Sequence, residues 1–116
     1  MYSFLVRAAG WLVTIVIIIL SLVPGQARPH SGVGGGYEHL LAYLSAGILL
    51  GFGYPDRNAR IKLGVLLVVL AGGLEILQLW VPGRHSELAG FLGSFSGATL
   101  GLVAAAMVAS RRSPPP

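Results

Sequence analysis

Four long stretches of the chain carry almost no charge, and short polar turns separate them. They run from Ala8 to Val23, from about Tyr37 to Tyr54, from Leu63 to Val81 and from Leu88 to Ser110. An α-helix needs roughly 20 apolar residues to cross the hydrocarbon core of a bilayer, and a segment in lipid must satisfy its own backbone hydrogen bonds. The pattern therefore predicts an all-α, polytopic membrane protein with four transmembrane helices in an antiparallel bundle. Composition agrees, because only 10% of the 116 residues are charged and 54% are hydrophobic, with a mean hydropathy of +0.77. A soluble domain carries about 25% charged residues. The length holds one domain, residues 1–112, and no separate soluble catalytic unit. Ser113 and the three prolines after it read as a disordered tail.

The punctuation between the stretches is explicit. Pro24-Gly25 closes the first, Pro55-Asp56 the second, and Pro82-Gly83 the third. Gly25 to Gly36 reads as a flexible loop of Gly, Pro and Ser. The first stretch also admits a signal-peptide reading, with Arg7 as its basic flank and Gly25-Gln26-Ala27 as a small-residue cleavage site; its length favours a span. Four antiparallel spans place both termini on one side, together with Arg7, Arg57, Arg60, Lys62, Arg111 and Arg112. Only Arg28 and Arg84 lie opposite. That asymmetry predicts cytoplasmic termini in a multi-pass membrane protein. The same distribution speaks against nucleic acid as a partner, since the basic residues flank span ends and form no stripe interleaved with aromatics. Cysteine is absent, which excludes disulfides, thiolate nucleophiles and cysteine-ligated metals.

The polar groups that topology does not explain collect toward the exterior ends of the spans: Glu38, His39, Glu75, Gln78, Arg84, His85, Ser86 and Glu87. Glu75 lies six residues before Val81, roughly 9 Å below the helix end at 1.5 Å per residue. An ionisable group at that depth faces the bundle interior and is a functional candidate by default; its structural alternative is pairing with His39 or Arg84. Gln78 shares its face. His39 and Tyr43, four apart, form a similar stripe on the second span, and contact between the second and third spans would bring His39 or Tyr43 to Glu75. Glu38 and Glu87 also suit the positive end of a helix dipole, Ser86 suits an N-cap, and Arg84 and His85 suit a solvated loop. Gly93, Gly97 and Gly101, extended by Ala89 and Ala105, read as a close-packing seam.

The run Glu75-Ile76-Leu77-Gln78-Leu79-Trp80-Val81-Pro82-Gly83-Arg84, preceded by Glu38-His39-Leu40-Leu41-Ala42-Tyr43 and followed by Gly97 and Gly101, resembles the VanZ-like membrane protein family. That family carries His-x-x-x-Tyr, then Glu-x-x-Gln, Pro-Gly-Arg and a Gly-x-x-x-Gly close. The resemblance covers nearly the whole chain and implies that His39, Tyr43, Glu75, Gln78 and Arg84 are ligand-binding positions. It also implies an association with resistance to glycopeptide antibiotics of the teicoplanin type. The chain departs from the family at Gly35-Gly36, where members often have Asp-Lys, and at Gly90 and Ser94, where members tend to have Asp and Asn or Asp.

Two functions are compatible with these residues. One is a cell-envelope protein that binds an anionic or glycosylated headgroup in an outer-leaflet polar pocket, its partners being membrane lipids and a lipid-linked envelope precursor or a glycopeptide. The other is an intramembrane enzyme with Glu75 as general acid or base, His39 as its partner and Arg84 steadying an oxyanion or phosphate. No serine stands out as a nucleophile among Ser45, Ser86, Ser94 and Ser96. A metal held by Glu38, His39, Glu75, His85 and Glu87 lacks a ligand spacing such as His-Glu-x-x-His. Gly32 to Gly36 lacks the Gly-x-x-x-x-Gly-Lys spacing of a phosphate loop, and no cofactor is expected. A proton relay through Glu75 would lack a second ionisable group in the inner halves of the spans.

Overall fold

A computed structural model describes residues 2–22, 35–81 and 88–112. It is all-helical, with α1 Tyr2–Leu22, α2 Gly35–Gly53, α3 Arg57–Leu77 followed by one 3-10 turn Gln78–Trp80, and α4 Leu88–Arg112. The expected stretches are all helical, with shifted ends. Charge-free sequence marks the lipid-facing part of a helix, whereas the helix itself continues as far as capping allows. Hence α1 begins at Tyr2, ahead of Arg7, and α3 begins at Arg57. Gly35 and Gly36, expected in the loop, belong to the first turn of α2. The rest of that loop, with Arg28, and the tail at 113–116 lie outside the described residues.

Three of the four helices, over Ser3–Leu22, Arg57–Trp80 and Gly90–Arg111, are long and apolar enough to cross a membrane; the apolar part of α2, Glu38–Gly53, is shorter. Large apolar side chains such as Leu12, Ile19, Val65, Val69 and Leu100 are exposed on the outer faces. A protein in water would not present that much apolar surface.

The tightest packing is between α2 and α4, which run parallel. A Cβ at Gly97 would strike the Leu40 carbonyl and one at Gly101 the Leu44 carbonyl, while one at Gly47 would stand 2.8 Å from the Ala98 carbonyl. The small-residue row of α4 thus meets a second small-residue row, Gly47 and Gly51, on α2. Backbones approach closely where apolar burial gives no net drive between helices. α1 packs antiparallel along α2, with Gly10 against Leu50, and α3 lies antiparallel beside α4, with Gly64 facing Leu102. The core is filled by Ile17, Leu50, Leu67, Leu74, Ala98 and Leu102 among others.

At one end of the bundle, side chains satisfy the backbone groups that helix ends leave open. Tyr54 precedes a proline, so α2 stops there. Two of its last carbonyls are taken by neighbouring arginines: Arg7 Nε donates to Gly53 O at 2.6 Å and Arg60 Nε to Gly51 O at 2.9 Å. Arg7 also lies over the Tyr54 ring, 4.5 Å from its centroid, and Trp11 Nε1 donates to the Tyr54 hydroxyl at 3.0 Å. Asp56 caps α3, its carboxylate accepting from Ala59 N at 3.1 Å. The opposite end has a matching device: Gln78 Nε2 donates to Ser21 O, 3.0 Å away, at the end of α1.

Candidate functional site

The end of the bundle remote from the arginines holds the site. α2 supplies His39 and Tyr43, one turn apart on its inner face. α3 supplies Glu75 in its last turn, and the tightening to a 3-10 turn at Gln78 keeps that side chain inward too. Four polar side chains are nearly enclosed here, with exposures of 2% for Tyr43, 9% for Glu75, 3% for Gln78 and 1% for Ser94. His39 Nε2 stands 3.6 Å from Glu75 Oε1, within ion-pair reach when the imidazole is protonated. The expected meeting of the second and third spans is therefore present, and His39 is the residue that makes it.

Tyr43 turns to α4. Its hydroxyl lies against the Ser94 side chain and near Glu75, and Ser94 Oγ donates to Gly90 O at 3.0 Å. Gly90 itself forms the wall behind the His39 and Glu75 pair: a Cβ there would sit 3.0 Å from Glu75 Oε1 and 3.6 Å from the imidazole Nε2. Gly90 and Ser94, two of the positions that set the chain apart from the family it resembles in sequence, thus border the site directly. Ser94 does not stand out in the sequence, because a serine in an apolar helix gives no signal of what it faces.

Gln78 has its amide committed to the Ser21 carbonyl, which ties α1 across this end. It positions the first helix as well as lining the site. Glu38 is half-buried in the first turn of α2, where the helix dipole favours a carboxylate. It also borders a cleft of about 330 Å³ between α1 and α2. Leu12, Val16, Ile17 and Leu20 make the walls of that cleft, and Ser21, Glu38, His39 and Tyr43 give it a polar end. Its size is at the lower end of the ~300–1,000 Å³ typical of small-ligand sites. Arg84, His85, Ser86 and Glu87 lie outside the described residues. Ser45, on the exposed side of α2, donates to the Leu41 carbonyl at 2.9 Å. Among the described residues no three His, Asp or Glu side chains come together.

Chemically, the arrangement offers an imidazole, a carboxylate and a phenol in a poorly hydrated chamber beside an aliphatic cleft. Such a set can hold hydroxyl or amide groups by hydrogen bonds, and it places an imidazole and a carboxylate 3.6 Å apart. No protein-family model matches the chain, and no curated protein or solved structure proves similar to it.

Proposed function

We propose that the chain is a VanZ-like, cell-envelope protein that crosses a bacterial cell membrane four times with both termini in the cytoplasm, and that binds a lipid-linked ligand at its exterior end. The observation that carries this reading is the junction of an aliphatic cleft with a polar set: His39 and Tyr43 line one end of a space walled by Leu12, Val16 and Leu20, and Glu75 stands behind them, 3.6 Å from His39. A ligand with an acyl or prenyl chain and a polar headgroup matches both halves. The described groups suit a glycosylated headgroup, since carboxylate, phenol and imidazole bind sugar hydroxyls well. An anionic headgroup would draw on Arg84. The grouping of arginines at the end that holds both termini supports the orientation. The 19 residues of α2 span roughly 28 Å at 1.5 Å per residue, close to the ~30 Å hydrocarbon thickness, which supports a fourth crossing.

The test is retention of a polyprenyl-diphosphate-linked sugar by the purified protein, read by mass spectrometry. Wild type retains it, and His39→Ala and Glu75→Gln lose most of it; equal retention by all three removes the reading. The proximity of His39 to Glu75 also favours an acid–base enzyme acting on the same ligand, and in that case the recovered ligand changes mass. The family's association further predicts that expressing the chain raises tolerance to teicoplanin and that Glu75→Gln abolishes the gain.

A further inference from the structure

Toward the other end of the bundle, α3 and α4 border a second cleft of about 580 Å³. Arg57 and Arg60 stand at the α3 N-terminal end of it, and its walls are apolar, with Val65, Val69, Phe95 and Val103 among them. Between Arg57 and Val69 the helix rises roughly 18 Å at 1.5 Å per residue, enough to lie along much of one acyl chain. Val65, Val69, Phe95 and Val103 are exposed, so the cleft is open sideways to lipid.

Arg60 is the second, independent observation. Its Nε is used by the Gly51 carbonyl, yet its Nη2 is buried and has no hydrogen-bond partner among the described residues. A buried guanidinium nitrogen without a partner is costly anywhere and more so beside hydrocarbon. Asp56 is the nearest acidic residue in sequence, and its carboxylate caps α3 through Ala59 N. Arg57 adds a second positive charge at the same mouth.

We propose that this cleft is a binding site for an anionic phospholipid, with the phosphodiester at Arg60 and Arg57 and one acyl chain between α3 and α4. Guanidinium geometry suits phosphate oxygens, and basic pockets between membrane helices hold anionic headgroups in this way. The apolar walls select a lipid over free phosphate, because inorganic phosphate leaves them empty. The site uses none of the residues around Glu75, so it stands or falls separately from the envelope-ligand reading.

Native mass spectrometry of the purified full-length protein tests it, with phosphatidylglycerol, phosphatidylcholine and inorganic phosphate as probes. Wild type retains phosphatidylglycerol over phosphatidylcholine, and inorganic phosphate does not compete. Arg60→Gln lowers phosphatidylglycerol retention ~10-fold, the size of one lost charge-assisted hydrogen bond. Thr99 lines the cleft on its exposed side, so Thr99→Phe fills it while leaving both arginines in place and lowers retention as well. Glu75→Gln leaves retention unchanged. Equal retention of the two lipids, full competition by phosphate, or wild-type retention in Thr99→Phe overturns the proposal. The last outcome decides even if loss of the Gly51 contact unfolds Arg60→Gln.

Discussion

Glu75 and His39 are held together by what surrounds them. The carboxylate is nearly enclosed, the imidazole is 3.6 Å away, and the absent side chain of Gly90 leaves room for both. Removing one partner takes a polar contact from the other in a poorly hydrated surrounding. Glu75→Ala should therefore cost about 1–3 kcal/mol, and a double-mutant cycle with His39→Ala should show coupling of ~0.5 kcal/mol or more. Additive losses in denaturation would show that the two side chains do not interact. Gly90 supplies a sharper case. Gly90→Ala places a methyl 3.0 Å from Glu75 Oε1, so the carboxylate has to shift by a few tenths of an ångström and its contact with His39 is disturbed; ligand retention should fall while helix content by circular dichroism stays the same. Glu75 was legible from sequence because nothing else explains a carboxylate so far inside an apolar run. Ser94 and Gly90 were not, since their importance comes from what α2 and α3 place opposite them.

Packing between elements depends on glycines in a way that sequence reveals only in part. Gly97 and Gly101 repeat at a spacing that announces close approach, but the face they meet, Gly47 and Gly51 on a helix running parallel to α4, becomes visible only once the helices are paired. Gly97→Leu would drive a side chain into the Leu40 carbonyl and should destabilise the protein by ~2 kcal/mol or more. Gly73 in α3 is the control: nothing lies within 4 Å of a Cβ there, so Gly73→Ala should be neutral or add up to ~1 kcal/mol from helix propensity. Thermal denaturation in detergent compares the two, and equal effects would contradict the seam. In the sequence Arg60 reads as a marker of orientation alone, and Arg7 as that or the basic flank of a signal peptide. Arg7 and Arg60 also cap the C-terminal carbonyls of α2, a role invisible without knowing which helix ends are neighbours.

The whole molecule has two chemically different ends. One gathers arginines, Trp11 and Tyr54 around the α2 to α3 turn; the other gathers His39, Tyr43, Glu75 and Gln78 beside an aliphatic cleft. Charge-free runs made the helices legible, and Pro55-Asp56 marked the break between α2 and α3. A membrane would make two features costly: the enclosed Glu75 carboxylate, and the Arg60 Nη2, which has no hydrogen-bond partner among the described residues. In the proposed orientation the carboxylate-bearing end faces the exterior and the arginine-bearing end faces the cytoplasm. With no native cysteine in the chain, single-cysteine labelling of intact cells by a membrane-impermeant maleimide reads this directly. Ser86→Cys should be labelled, and Ser113→Cys should be labelled only after the cells are opened. Labelling of Ser113→Cys in intact cells, with Ser86→Cys protected until lysis, would contradict the account.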